Sequence, residues 1–110
     1  MVAGPVRRGE VYLIALDPSR GAEIRKTRPC LVVSPDDLNA HLGTFIVAPM
    51  TTGGHPYPFR VPCRLARKQG HVVLDQLRTV HQARLVRRVG RLAPDTVVRS
   101  LSLLREMFAA

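Results

Sequence analysis

Tryptophan is absent from this chain, cysteine occurs only at positions 30 and 63, and lysine only at 26 and 68. Cys30 and Cys63 lie too far apart for any zinc spacing, and two thiols make no disulfide framework. Each sits within an apolar segment, so both are expected as buried thiols. His41, His55, His71 and His81 form no i, i+4 pair and no H-E-x-x-H, so no metal site and no cofactor are expected. No apolar run approaches the roughly 20 residues that span a bilayer. Met1–Glu10 has no apolar stretch after its arginines, so a secretory leader is not expected and the cytoplasm is the default compartment. P-loop, dinucleotide-fingerprint, G-x-S-x-G and paired-carboxylate motifs are all missing, which sets aside most nucleotide-dependent enzymes and glycosidases.

What is present is arginine, unevenly spread. The 110 residues carry 17 basic and 8 acidic groups, a net charge of +9. Residues 1–55 hold six basic and five acidic groups, and residues 56–110 hold eleven and three. Arginine forks onto phosphate oxygens and stacks on bases, so a basic half of this kind points to a polyanion, most often nucleic acid. With 45% hydrophobic and 23% charged residues, the composition is that of a folded domain. One domain over residues 1–110 is expected, long enough to bury a core without staples.

The pattern along the chain is short strands first and one helix last. Val11–Leu16 is rich in strand formers, and Asp17–Pro29 reads as a long polar loop opened by Asp-Pro and Arg-Gly. Cys30–Ser34 is a continuous apolar strand, Pro35–Gly43 a turn or short helical turn, and Thr44–Met50 a third strand. Pro49 near its end, unable to donate a ladder hydrogen bond, marks an edge or bulge. Thr51–Pro58 reads as a loop, Phe59–Cys63 as a strand, and Arg64–Gly70 as a basic turn. His71–Asp75 is a strand that Gln76–Val80 continues or restarts after a kink, and Arg84–Leu92 is the last strand. Val97, Leu101, Leu104 and Phe108 then recur with helical spacing, with Pro94 in the first turn and no capping side chain at Ala93. The expected fold is mainly β (α+β): a small, partly open β-barrel with a C-terminal helix.

Three loops concentrate chemistry. Arg20–Pro29 gathers Arg20, Arg25, Lys26 and Arg28 around Glu23, a cationic loop suited to clamping phosphates. Arg28 stands apart within it, because Pro29 biases it toward extended backbone and gives its guanidinium a fixed root. Pro49–Pro58 offers the hydroxyls of Thr51 and Thr52, the close backbone approach of Gly53 and Gly54, and His55. Asp75–Val80 brings Gln76, able to read a base edge, and Arg78, able to hold a phosphate or base.

Taken together, RRGEVYLIALDPSRGAEIRKTRPCLVVSP, FIVAPMTT, YPFRV, GHVVLDQLRTV and RLVRRVGRL resemble the MazF/PemK toxins, in that family's order and at compatible spacing from about Arg8 to Leu92. The resemblance implies an SH3-like barrel and a homodimer. It also implies a type II toxin, a metal-independent endoribonuclease (mRNA interferase) that cuts single-stranded RNA and is inhibited by a cognate antitoxin. It places the catalytic arginine at Arg28 and the catalytic threonine at Thr51, with Thr52 as neighbour. Glu23, Arg25, Lys26, Gln76 and Arg78 fall where the substrate would lie. His81 stands where the family commonly has Asp, and the loop over residues 20–29 is more basic than in many members. Two other readings of the same residues are a gyrase-poisoning toxin on this fold and a non-catalytic nucleic-acid-binding module. The latter calls for exposed aromatics, whereas the five Phe and Tyr residues stand mostly in core-type positions.

Overall fold

A computed structural model describes residues 4–110. The expectation of no leader rests partly on residues 1–3, which lie outside the described residues. The strands are β1 (Glu10–Ala15), β2 (Thr27–Val32), β3 (Thr44–Thr52), β4 (Arg60–Leu65), β5 (Lys68–Val73), β6 (Arg78–His81) and β7 (Leu85–Arg91). Helix α1 (Asp36–His41) links β2 to β3, and α2 (Pro94–Met107) ends the chain. Two single 3₁₀ turns, Leu74–Gln76 and Gln82–Arg84, flank β6. All pairings are antiparallel, in the order β4-β5-β3-β2-β1-β7, with β6 also on β3. This is the mainly β, partly open architecture with a terminal helix that the sequence pattern implies.

The long apolar runs of β1 and β2 follow from burial on both faces of the sheet. Tyr12, Ile14, Cys30 and Val32 alternate into one cluster with Phe45, Val47, Val80 and Leu85. Val11, Leu31 and Val33 alternate into the other, with Ala48, Met50, Val61, Val72 and Leu92. Helix α2 covers that second cluster with Val97, Leu101, Leu104 and Met107. Phe108, expected on the same stripe, lies beyond the helix end and is 71% exposed. Pro94 opens α2 and no side chain caps Ala93, as the sequence indicates.

β5 ends at Val73 rather than Asp75, giving way to the Leu74–Gln76 turn. Elsewhere the sheet extends beyond the sequence reading in three places, each because tertiary pairing overrides local polarity. β2 starts at Thr27, since Thr27, Arg28 and Pro29 pair with Ala15, Ile14 and Leu13 of β1. β3 runs on through Thr51 and Thr52, which pair with β5. The Arg64–Gly70 turn shrinks to two residues, Ala66 and Arg67, with φ of 48° and 71°. Positive φ at both positions suits a tight hairpin, but without Asn or Gly the sequence carries no signal for it. Pro49 sits where it does no harm. β3 pairs β6 up to Val47 and β5 from Met50 onward, so Pro49 falls in the gap between partners.

Glu10 is buried, and its carboxylate accepts from the Arg7 backbone N–H (2.7 Å), Tyr12 Oη (3.3 Å) and Arg88 Nε (2.6 Å). Burial, then the neighbouring Glu10 charge, raises the Tyr12 phenol above its usual range. Of the two thiols, Cys30 is buried as expected, while Cys63 is only half-buried because it lies on β4 beside an opening. Burial pushes Cys30 up to about 12 from 9.0 and also raises Cys63.

Two outcomes follow. A thiol reagent should label Cys63 in the folded protein and reach Cys30 only on unfolding. Cys30 and Tyr12 hold their protons longer in the folded chain than in the unfolded one. Their contribution to stability is therefore complete below the unfolded values, 9.0 and 10.0, and is lost as pH rises through the folded ones. Denaturant midpoints should fall across that alkaline window, and fall less for Tyr12→Phe.

Candidate active site

The loop between β1 and β2 is held rather than loose. Gln76 closes it from across the chain: its Oε1 accepts from the Ile24 N–H at 2.7 Å and its Nε2 donates to the Ala22 carbonyl at 3.3 Å. Arg78 Nη1 donates to the Leu16 carbonyl at 3.2 Å. Arg84 Nη1 donates to the carbonyls of Ala15 (3.1 Å) and Asp17 (2.6 Å). Asp17 accepts from the Lys26 N–H at 3.1 Å, and Ile24 packs on the first core cluster. Gln76 and Arg78 thus spend polar atoms on this loop's backbone. Glu23, Arg25 and Lys26 stay exposed on it, with the Glu23 carboxylate on the Arg20 N–H and Arg25 Nη2 on the Gly21 carbonyl.

Arg28 and Thr51 meet where β2 and β3 part. The β2–β3 ladder stops at Cys30 opposite Pro49, so two residues further Arg28 and Thr51 face each other across diverging strands. Both continue the alternation that points Cys30 and Val47 to one face of the sheet. The gap is a cleft of about 210 Å³ lined by Arg28, Thr51, Thr52, Cys63, Lys68 and Gly70, among others. Arg28 is exposed, its Nε reaching only the Arg25 carbonyl at 3.4 Å, and it joins none of the ion pairs among the described residues. No carboxylate lines the cleft. A free guanidinium and a hydroxyl facing one opening can hold the oxygens of a phosphate.

On the other side of Thr51 lies β5, with His71 directly opposite it. Arg28, Thr51 and His71 thus form one row across three adjacent strands. His71 also lines a second opening of about 600 Å³, which shares Cys63, Gln69 and Gly70 with the first. In the sequence His71 carries no motif and looks like part of an apolar strand. Only the β3–β5 register sets it beside Thr51. Gly70 likewise gives no local signal, yet a Cβ there would collide with the Thr51 carbonyl oxygen. Among the described residues no three His, Cys, Asp or Glu side chains gather as metal ligands would.

Exposed aromatics are not wholly lacking. Tyr12 and Phe45 are buried, but Tyr57 is 54% exposed on the β3–β4 loop. Its ring lies 4.6 Å from that of His55 and 5.0 Å from the Arg60 guanidinium, which Asp75 holds at 3.1 and 3.2 Å.

Residues 7–108 match the family described as PemK-like, MazF-like toxin of type II toxin-antitoxin system. The chain is 41% identical over 105 residues to the endoribonuclease toxin ChpB of Escherichia coli, covering 89% of this chain and 88% of that protein. It is 34% identical over 99 residues to the endoribonuclease PemK of Escherichia coli, covering 84% and 74%. Its fold superposes on MazF from Deinococcus radiodurans with a TM-score of 0.83 at 24% identity, covering 96% and 97%. A mycobacterial endoribonuclease in complex with its cognate antitoxin superposes with a TM-score of 0.77, covering 92% of each chain.

The contact between Gly70 and Thr51 is directly testable. Gly70→Ala forces apart the strands that carry Thr51 and His71, and should cost about 1–3 kcal/mol or more in a denaturant melt. Gly90→Ala, whose Cβ would come no nearer than 4.0 Å to Leu65, should be close to neutral.

Proposed function

This chain belongs to the PemK-like, MazF-like toxins of type II toxin–antitoxin systems, and from that premise we propose that its Arg28–Thr51 cleft is where it cuts single-stranded RNA. Its relatives are endoribonucleases, and it is one too, the toxin of such a system. The observation that carries the assignment of the cleft is the pairing of an unpaired guanidinium with a hydroxyl in an opening without carboxylates.

The reaction uses the RNA's own 2′-hydroxyl as nucleophile. It attacks the adjacent phosphorus and leaves a 2′,3′-cyclic phosphate and a 5′-hydroxyl. Alignment and charge stabilisation are then the protein's main tasks. Arg28 donates to the phosphate oxygens as charge builds on them, and the Thr51 hydroxyl donates to the same phosphate. Thr52 lines the same cleft. Glu23, Arg25 and Lys26 face the substrate from the β1–β2 loop, and Gln76 and Arg78 support that loop. The chain acts in the cytoplasm as a single domain. No described helix is long and apolar enough to cross a membrane.

The partner that restrains it is a cognate antitoxin, as in the mycobacterial relative's complex. An acidic, partly disordered antitoxin tail suits the basic surface, with affinity that falls as salt rises. The active form is a symmetric homodimer. What supports pairing is an apolar face of α2, where Val98 (65% exposed) and Phe108 (71% exposed) border a groove of about 780 Å³ that also includes Ile46, Leu77 and Leu101.

Three measurements test this. Arg28→Ala should slow single-turnover cleavage by about a hundredfold to a thousandfold, the usual loss for one preorganised donor to a developing anion. Its RNA affinity and melting temperature should change little. Thr51→Ala should give a smaller defect, and Arg99→Ala, on the exposed side of α2, almost none. Arg28→Ala cutting within about threefold of wild type would remove the assignment. Cutting should persist in excess EDTA and yield 5′-hydroxyl ends; magnesium dependence with 5′-phosphate ends would contradict the mechanism. Sedimentation at micromolar concentration should show a dimer that Phe108→Asp weakens, and a monomer cutting at full rate would refute the pairing.

A further inference from the structure

Arg28 cannot take the 2′-hydroxyl proton, because a guanidinium stays charged. The fold sets one imidazole beside the cleft. His71 stands opposite Thr51 in the β3–β5 ladder, where paired Cα atoms are about 4.5–5.5 Å apart. A Cβ placed on Gly54 would lie 3.6 Å from His71 Nδ1 and 3.7 Å from Thr51 Oγ1, so both side chains border the same point.

The tautomer of His71 follows from its hydrogen bond. Nδ1 is 2.7 Å from the Gly53 carbonyl oxygen, and a carbonyl can only accept. Nδ1 therefore carries the proton, and in the neutral ring Nε2 is left as an acceptor. The other histidines are placed differently. His41 Nδ1 lies on the Asp37 carbonyl within α1, at 2.7 Å. His81 accepts from the Ala83 N–H at 3.0 Å and pairs with Thr44. That is seven strand positions from Thr51, or about 23 Å at roughly 3.3 Å per residue. His55 is on the exposed β3–β4 loop, its ring against Tyr57.

We propose that His71 is the proton acceptor of the cleavage step, an inference that rests on the ribonuclease reading above and deepens it. The 2′-hydroxyl proton passes to His71 Nε2 as the 2′-oxygen bonds to phosphorus. The phosphorus–O5′ bond breaks, and O5′ takes a proton from water. His71 then returns its proton to the solvent, so none is consumed. Thr51 and Arg28 hold the phosphate while the Gly53 carbonyl fixes the ring, and the three tasks fall to three neighbouring strands and the loop after β3.

The test compares wild type, Arg28→Ala, His71→Ala and His71→Gln. It measures single-turnover cutting of a mixed-sequence single-stranded RNA, and affinity for the same RNA with 2′-O-methyl groups, which cannot react. His71→Ala should cut about a hundredfold to ten-thousandfold more slowly, the range for a lost general base. Its affinity should stay within about threefold, and free imidazole should recover at least about tenfold of the rate. His71→Gln keeps a polar side chain of similar length but accepts no proton, so it should be as slow and gain nothing from imidazole. If His71→Ala fails to fold, His71→Gln carries the comparison. His71→Gln at wild-type rate means that no proton acceptor is needed at position 71, and overturns the proposal. A wild type that cuts, an Arg28→Ala that does not and His71 variants at full rate overturn His71 alone. A wild type that cuts no RNA overturns the functional reading and this inference together.

Discussion

A buried strand must satisfy its amides and carbonyls on both edges, and β3 does so with three neighbours. It takes β2 beside Val47–Pro49, β6 beside Thr44–Val47, and β5 beside Met50–Thr52. The candidate site is a by-product of that arrangement. Because β2 stops pairing at Cys30, one edge of β3 is left open at Thr51 while the other remains tied to β5. Gly70 makes the tie possible, since only a residue without a side chain lets β5 approach the Thr51 carbonyl so closely. The cleft is therefore open on one side and rigid on the other, which is what a phosphate site needs.

The loops around the opening are positioned from one short turn. In Leu74–Gln76, two consecutive side chains reach in different directions. Asp75 holds Arg60 in a two-point ion pair, and Arg60 in turn lies against Tyr57 of the β3–β4 loop. Gln76 holds the backbone of the β1–β2 loop at Ala22 and Ile24. A polar loop of this length would ordinarily be mobile. Here its backbone groups are met by side chains from β6 and the turns on either side of it, so the exposed arginines on it work from an anchored base.

Charge acts at two ranges. The arginine-rich C-terminal half makes an attractive surface for a polyanion without specifying where reaction occurs. Some of those arginines are committed to the fold: Arg88 neutralises buried Glu10, Arg84 and Arg78 hold loop carbonyls, and Arg60 pairs with Asp75. Arg28 joins no ion pair and makes one long contact, from Nε to the Arg25 carbonyl at 3.4 Å, which leaves its two terminal nitrogens for a ligand in a cleft without carboxylates. A basic residue's availability depends on its partners rather than on its place in a basic segment.

Much of this protein was legible in the residues themselves. Apolar runs and turn formers located the strands, helical spacing located α2, and the motifs around Arg28 and Thr51 located the two residues that line one cleft. Those signals are local, and local sterics and burial preferences express them directly. Tertiary structure decided the rest. It extended β2 and β3 into segments that look like loop, closed a hairpin at Ala66–Arg67 with no turn residue to announce it, and turned Gln76 toward the β1–β2 loop. It also put His71 opposite Thr51 and Gly70 against the Thr51 carbonyl. The placements of Gln76, His71 and Gly70 rest on contacts between residues some 20 to 50 positions apart. Strand register is a property of the assembled sheet, set by which faces must be buried, that no single segment of the chain contains.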